Sequence, residues 1–223
     1  MRVLGFSVLF LFTLGCTQVA SDEASVLNIR EYPAHWWAEL PQVEKKKWEV
    51  SPASVKAPQV ILSKRNELGI LSNFAATPFV YKNKKYASVE GFWQAMKYPE
   101  TNFDDPRHKL AKWPHTRKEV EGMVGFEAKR AGSFASKVMK KHKISWVSFM
   151  GEQMQYRHPG KGAFYKQIVA AMKEKLAQNT EASRVLQSTE GLILKPDHSQ
   201  GKNPPPAWRY HEIYMEFRDK VHQ

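Results

Sequence analysis

Closely spaced prolines divide the first part of the chain into short pieces. Pro33, Pro41, Pro52 and Pro58 leave no room for a long helix or a central strand before residue 59. From Gln59 onward, apolar residues follow the periods of strands and helices. The sequence therefore predicts one globular domain over residues 56–223, preceded by a tether and an aromatic arm over residues 16–55. A length of 223 residues agrees with a single domain.

The arm is rich in tryptophan. Trp36, Trp37 and Trp48 fall within thirteen residues, and rings of this size are unusual in a solvated linker. We expect the arm to pack on the domain. The alternative is a membrane-interface anchor or a nucleic-acid stacking site, formed by these rings together with the lysines at 45–47.

The first fifteen residues resemble a secretion signal. Residues 3–14 form an apolar run behind Arg2, and this run is shorter than the roughly 20 residues of a membrane span. It ends just before Cys16, the single cysteine, an arrangement that resembles a bacterial lipoprotein signal. We expect a signal peptide over residues 1–15 and a lipid on Cys16 that anchors the protein in the cell envelope, on the periplasmic or outer-membrane side in a Gram-negative cell. An ordinary secretory signal or a buried N-terminal helix is the alternative.

The charge balance favours anionic partners. Lys and Arg total 34 against 22 Asp and Glu, a net charge of +12, which suits phosphorylated metabolites, nucleic acid or an acidic membrane surface. Surplus lysine that only keeps the chain soluble is the alternative. One cysteine excludes an intramolecular disulfide framework, a Cys-based zinc finger and an iron–sulfur site. The histidines show no metal-ligand spacing, so we expect neither a metal nor a cofactor.

The residue pattern of the domain predicts mainly helices. A strand is expected at residues 60–62 and a hairpin at 79–86, with Asn83 in the turn. Helices are expected at 88–98, 117–131, 163–178, 181–187 and 207–221. The predicted fold class is α+β and mostly helical, with about six helices packed against a small antiparallel sheet or hairpin.

The helix at 88–98 has an unusual polar face. Glu90, Gln94 and Lys97 are spaced i, i+4 and i+7 and share one stripe, with Trp93 beside them. A carboxylate, an amide and an ammonium group next to an aromatic ring are candidates for a binding or catalytic site. An ordinary solvated face has the same spacing, so spacing alone does not decide between the two.

This region resembles the NADAR superfamily of YbiA-like N-glycosidases. The hallmark of that family is Ser-Asn-Phe, a hairpin, then Ser-x-Glu and Gln-Ala-x-Lys. The matching residues here are Ser72, Asn73, Phe74, Ser88, Glu90, Gln94, Ala95 and Lys97. The resemblance covers about residues 60–220 and includes Ala128–Gly132 and Met215–Arg218, but the family's Trp-Gly-x-Gly stretch is absent. The sequence therefore resembles a divergent branch of this superfamily, which implies a YbiA-like fold.

The resemblance implies an enzyme that hydrolyses an N-glycosidic bond between ribose and an amine or base. The implied substrates are phosphoribosylated riboflavin-pathway intermediates or ADP-ribosyl-guanine. Cleavage develops positive charge at the anomeric carbon, so a carboxylate must stabilise that carbon or activate water. The leaving nitrogen must accept a proton or a hydrogen bond.

We assign these roles to residues in the matching segments. Glu90 is the predicted catalytic carboxylate and Asp197 the second acid. The predicted substrate-binding residues are Asn73, Phe74, Trp93, Gln94, Lys97 and Arg130. Asn73 would hydrogen-bond the sugar or base, and the rings of Phe74 and Trp93 would stack on the base. Lys97 and Arg130 would bind phosphate. Structural alternatives are a turn role for Asp197, a core role for Trp93, and ion pairs for the two cations.

Two other functions are compatible with the same residues. One is a non-catalytic lipoprotein of the cell envelope that binds ADP-ribose or a similar nucleotide. The other is an envelope protein that binds nucleic acid through its basic surface. Riboflavin intermediates and DNA are cytosolic, whereas the leader directs this chain out of the cytosol, so the enzyme would need an extracytoplasmic ribosyl substrate.

Overall fold

The computed structural model describes residues 32–41, 46–101 and 103–220. Within these ranges it contains six α-helices and three two-stranded sheets, which confirms the predicted α+β, mostly helical class. The predicted signal peptide and Cys16 lie outside the described residues. The elements are β1 (Gln59–Ile61), β2 (Phe79–Tyr81), β3 (Lys84–Tyr86), α1 (Val89–Ala95), α2 (Arg117–Glu121), α3 (Gly125–Lys141), β4 (Trp146–Phe149), β5 (Glu152–Gln155), α4 (Ala163–Gln178), α5 (Thr180–Gln187), β6 (Ile193–Lys195) and α6 (Tyr210–Lys220).

The strands form separate pairs and not one small sheet. Strands β2 and β3 make the expected antiparallel hairpin, and its turn residues Lys82 and Asn83 both have positive φ. A second antiparallel hairpin, β4–β5, turns at Met150 and Gly151. Strands β1 and β6 pair in parallel, which joins the beginning of the domain to its C-terminal part.

The helix predicted at 117–131 is two helices. The capping box at Thr116 and Glu119 begins α2 as expected. The chain then turns at Gly122, and Gly125, with φ of +53°, begins α3 in a new direction. This turn separates the capped start from the longer helix that lies beside α1.

Helix α1 lies at the centre of the molecule, and each of its seven residues is buried. Phe92 packs against the rings of Phe79, Tyr86 and Phe149 in the main core. Gly91 faces the loop after α2, and a Cβ there would lie 2.5 Å from the carbonyl oxygen of Met123. The helix is therefore packed closely on its apolar side, which leaves its polar stripe to face a cavity.

A buried ionic cluster holds the C-terminal end of α1. Arg107 donates to Asp105 at 2.6 Å and to the Met96 carbonyl at 3.0 Å. Arg117 donates to the Ser148 carbonyl at 2.7 Å. Buried charges in such a cluster are tolerated only when they are paired and hydrogen-bonded, and here the cluster ties the end of α1 to β4.

The described part of the arm packs on the domain. Trp36 is 1% exposed and donates to Glu67 at 2.6 Å, and Trp37 donates to the Gln59 carbonyl at 2.8 Å. Glu49 pairs with Arg65 at 2.9 Å. Among the described residues, no helix has the length and apolar character that crossing a bilayer requires.

Candidate functional site

A cavity of about 460 Å³ lies beside the polar stripe of α1. This volume is in the range of small-molecule sites. Its walls come from the Ser72–Phe74 loop, α1, the first turns of α3, the residue after β5, the segment before α6, and one arm residue. The lining residues are Trp48, Lys64, Ser72, Asn73, Phe74, Glu90, Trp93, Gln94, Lys97, Phe126, Lys129, Tyr156, His198, Ser199, Gln200, Trp208 and Tyr210.

Glu90 is the only carboxylate among these lining residues. The Ser88 hydroxyl caps α1 by accepting from the Gly91 amide at 2.9 Å, and the Glu90 amide donates to the Asn73 carbonyl at 2.8 Å. The Glu90 side chain accepts from the Gln94 amide nitrogen at 2.7 Å. The helix cap, one backbone hydrogen bond and one side-chain hydrogen bond thus fix the carboxylate in the cavity wall.

The ionisation of the stripe is shifted by burial. Burial raises the pKa of Glu90, although the charge of Lys129 and the hydrogen bond from Gln94 act in the opposite direction. Burial lowers the pKa of Lys97 to about 7, against the opposing effect of Glu90. Both charges are poorly solvated, so each interacts strongly with an opposite charge brought into the cavity.

Helix α3 makes room for the side chain of Gln94. Gly132 faces this side chain, and a Cβ at position 132 would lie 1.7 Å from the side-chain oxygen Oε1 of Gln94. One turn further on, Ser136 accepts from the Lys97 ammonium at 2.9 Å. The same face of α3 therefore positions two members of the polar stripe.

Lys97 has no carboxylate within ion-pair distance among the described residues. Its ammonium lies 4.8 Å from the centre of the Tyr156 ring, and the nearby charges of Lys129 and Arg157 further disfavour its protonation. Within the described part of the chain, the structure gives no ion pair that would explain this buried lysine, so it is available to an anionic ligand.

Aromatic rings form two sides of the cavity. Trp93 donates to the Tyr156 hydroxyl at 3.1 Å and packs edge-on against Phe164. At the mouth, Phe126 lies 5.2 Å from Phe74 and 5.6 Å from Trp48, centre to centre. Trp48 and Phe126 are 38% and 51% exposed, so these rings offer surface to a planar group.

A buried lysine supports the loop that carries Asn73. Lys175 of α4 donates to the carbonyls of Ile70 and Ser72 at 2.6 and 2.9 Å. The buried side-chain oxygen of Asn73 has no hydrogen-bond partner among the described residues. A ligand hydroxyl or N–H group would satisfy this acceptor.

The structure brings six of the eight predicted catalytic and binding residues to this cavity: Asn73, Phe74, Glu90, Trp93, Gln94 and Lys97. Asp197 is not in the lining. It is buried, pairs with Lys64, and lies 2.9 Å from Nδ1 of His198. His198 lines the cavity in its place.

Arg130 is also outside the cavity and is exposed. The reason is helical geometry, because successive residues point about 100° apart. Positions 129, 132 and 136 share the face of α3 that contacts α1, whereas position 130 points away. Lys129 therefore occupies the place predicted for Arg130. No three His, Cys, Asp or Glu side chains in the described ranges are grouped so as to hold a metal ion.

Several lining residues were missed by the sequence analysis. His198 lies in irregular chain and Trp208 in a short 3-10 helix before α6, and Lys64 follows β1 by a few residues. Their positions depend on the β1–β6 pairing, which leaves no local pattern. Helical spacing could have predicted Lys129, because it lies three residues before Gly132 and therefore on the same face of α3.

Comparison with protein families gives a match over most of this region. The family described as bacteriophage protein GP30.3 matches residues 65–207, more than half of the chain. The NMR structure of the E. coli protein YbiA is similar to 75% of this chain and 88% of its own, with 17% identity and a TM-score of 0.48. Comparison with curated proteins gives no match.

Proposed function

This chain belongs to the bacteriophage protein GP30.3 family, and we propose that it hydrolyses the N-ribosyl bond of a phosphoribosylated amine or an ADP-ribosyl compound. The observation that carries the proposal is the convergence of Asn73, Glu90, Gln94 and Lys97 on one cavity in which Glu90 is the only lining carboxylate among the described residues. These residues come from the sequence segment that resembles the NADAR superfamily.

Glu90 is the group that meets the anomeric carbon in this proposal. Breaking the C1′–N bond leaves positive character on the sugar. A carboxylate that burial has stripped of water interacts more strongly with that charge than a solvated one would. The hydrogen bond from Gln94 keeps the carboxylate in place during the reaction.

The cations of the cavity suit a phosphorylated ribose. Of the residues that the structure describes, Lys64, Lys97 and Lys129 line the cavity together with one carboxylate, that of Glu90, so the site favours an anion. Lys64 is paired with Asp197, which leaves Lys97 and Lys129 to bind phosphate oxygens. The unpaired acceptor on Asn73 would take a hydrogen bond from a ribose hydroxyl or a base N–H.

The direct test is release of ribose phosphate or ADP-ribose from a panel of N-ribosides. The panel contains phosphoribosylated amines, ADP-ribosylated guanosine and an oligonucleotide carrying ADP-ribosyl-guanine. We expect the wild type to release sugar from at least one class, and Glu90→Gln to reduce that rate by about 10²–10⁴-fold. Glu127→Gln is the matched control because it removes an exposed acid from α3.

A different outcome would favour a binding protein. If the wild type releases no sugar from any member of the panel while the same compounds raise its melting temperature, the cavity binds nucleotides without hydrolysing them. The proposal of hydrolysis would then be wrong, and the nucleotide-binding lipoprotein of the cell envelope would replace it.

We also propose that the protein is held in the cell envelope by a lipid on Cys16. The support is the apolar run that precedes the single cysteine. Metabolic labelling with an alkyne-bearing fatty acid should label the wild type and not Cys16→Ser, and only the variant should leave the membrane fraction. Equal labelling of both proteins would contradict the proposal.

A further inference from the structure

The side chains of His198 and Asp197 form a hydrogen-bonded pair at the edge of the cavity. Nδ1 of His198 lies 2.9 Å from a carboxylate oxygen of Asp197. The imidazole lines the same cavity as Glu90 and lies parallel to the Tyr210 ring, with centres 6.4 Å apart. Among the described residues, no hydrogen bond engages Nε2 of His198.

Asp197 is held as an anion behind the histidine. Asp197 is 2% exposed. One of its carboxylate oxygens pairs with the Lys64 ammonium, and the other faces His198. Burial opposes its ionisation, but the hydrogen bond from His198 and the charge of Lys64 keep the pKa of Asp197 below its usual value. A buried carboxylate at Nδ1 fixes the orientation of the imidazole ring.

The backbone around the pair is also fixed. The Val50 amide donates to the Asp197 carbonyl at 2.8 Å, and Glu49 forms a β-bridge with His198. Gln200 donates to the Trp208 carbonyl at 2.7 Å. The irregular segment therefore presents His198 from a fixed position, as a catalytic group requires.

We propose that His198 is the general acid of the reaction and that Asp197 is its positioning residue. This inference rests on the proposed N-riboside hydrolysis. As the C1′–N bond breaks, its electron pair goes to nitrogen, and the proton on Nε2 of His198 is transferred to that nitrogen. Water adds to C1′ and gives its proton to Glu90, and solvent returns both groups to their starting states.

The test compares leaving groups that need a proton with one that does not. Nicotinamide riboside phosphate loses neutral nicotinamide without protonation, whereas an amine or a purine needs an acid. We expect His198→Gln to lower kcat by about 10²–10⁴-fold on the amine or purine substrate and by less than about 3-fold on the pyridinium riboside. Asp197→Asn should also lower kcat more on the amine or purine substrate than on the pyridinium riboside, but by a smaller factor.

Controls separate this role from a folding effect. His142→Gln, which alters an exposed histidine at the end of α3, should leave both rates unchanged, and the melting temperature of His198→Gln should match that of the wild type. An equal loss on both substrates, or no loss on either, would overturn the general-acid role while leaving N-riboside hydrolysis intact.

Two further results decide the remaining cases. Where the pyridinium riboside is not a substrate, added imidazole should restore part of the amine-substrate rate of His198→Ala, and failure to restore it contradicts the proposal. If the wild type cleaves no N-riboside, the proposed function fails first and the general-acid role fails with it.

Discussion

Gly132 leaves the space that the side chain of Gln94 occupies. A Cβ at position 132 would lie 1.7 Å from the side-chain oxygen Oε1 of Gln94, which is much shorter than a van der Waals contact. The side chain of Gln94 is held there by its hydrogen bond to Glu90. The packing of α3 on α1 therefore determines where the candidate catalytic carboxylate lies.

Gly132→Ala should disturb the site more than the fold. Gln94 must move, the hydrogen bond to Glu90 is lost, and we expect a destabilisation of about 1–3 kcal/mol from overpacking together with a loss of about tenfold or more in kcat/KM. Urea unfolding and N-riboside kinetics measure the two effects. Gly122→Ala is the control, because a Cβ there meets nothing closer than 3.4 Å; equal activity in both variants would refute the relationship.

Lys129→Ala and Arg130→Ala form a matched pair on neighbouring positions of α3. Both side chains belong to exposed residues, but only Lys129 lines the cavity. Loss of a charged hydrogen bond to phosphate should raise KM for a phosphorylated substrate about 10–100-fold in Lys129→Ala. Arg130→Ala should resemble the wild type. A larger increase in KM for Arg130→Ala than for Lys129→Ala would place the phosphate on the other face of α3.

The pH dependence of kcat/KM should report both shifted groups. Glu90 must be ionised, and because burial raises its pKa, the rate should fall on the acid side at a pH above the ordinary carboxyl value of 4.5. Lys97 loses its charge above about pH 7. The preference for a phosphorylated riboside over its unphosphorylated counterpart should therefore decrease as the pH rises through about 7.

Lys97→Met provides the check on this assignment. In that variant the ratio of kcat/KM for the two ribosides should no longer decline between about pH 7 and pH 8, where the substrate phosphate, with a second pKa of about 6, is already mostly dianionic. A ratio that still declines would assign the titration to another group, and an acid limb at or below pH 4.5 would contradict the raised pKa of Glu90.

Lys175→Met should destabilise the protein. The fully buried ammonium satisfies two loop carbonyls, those of Ile70 and Ser72. Leaving both without a donor costs about 2–4 kcal/mol of unfolding free energy, which chemical denaturation will measure. Lys173→Met, at an exposed position of the same helix, should change stability by less than about 0.5 kcal/mol. Similar stabilities of the two variants would show that the loop does not depend on Lys175.

Trp48→Ala should weaken substrate binding without slowing the chemical step. Trp48 comes from the arm, outside the segment that matches the family, and completes the aromatic mouth of the cavity with Phe126. Loss of one stacking surface should raise KM about 5–100-fold for substrates with a planar base, with kcat nearly constant. Phe103→Ala removes an exposed ring outside the cavity and should change neither constant. A drop in kcat alone would assign Trp48 a different role.

The sequence predicts those parts of the fold and site that depend on local spacing. The stripe Glu90, Gln94 and Lys97 follows from helical periodicity, and the turn of the β2–β3 hairpin follows from the tolerance of Asn83 for positive φ. The capping box at Thr116 is local in the same way. Each of these features is determined within about ten residues of chain.

Features that depend on distant segments could not be predicted. Asp197 is a plausible acid in the sequence, but its contact with Lys64 removes it from the cavity and leaves His198 there. The chemistry of its guanidinium predicts Arg130 as a phosphate ligand, whereas the direction of its side chain depends on the contact between α3 and α1, which places Lys129 in the cavity. Nothing local to Trp48 shows that the arm reaches the mouth of the cavity.

The parallel pairing of β1 with β6 has a consequence for biosynthesis. Gln59 pairs with Ile193, so β1 cannot form this pair until β6 has left the ribosome. His198 and Trp208 follow that partner strand and line the cavity, so a nascent chain that ends before them lacks part of the cavity wall. Since contacts between such distant segments form late in folding, we expect the cavity to be complete only after β6 and the segment that follows it have been synthesised.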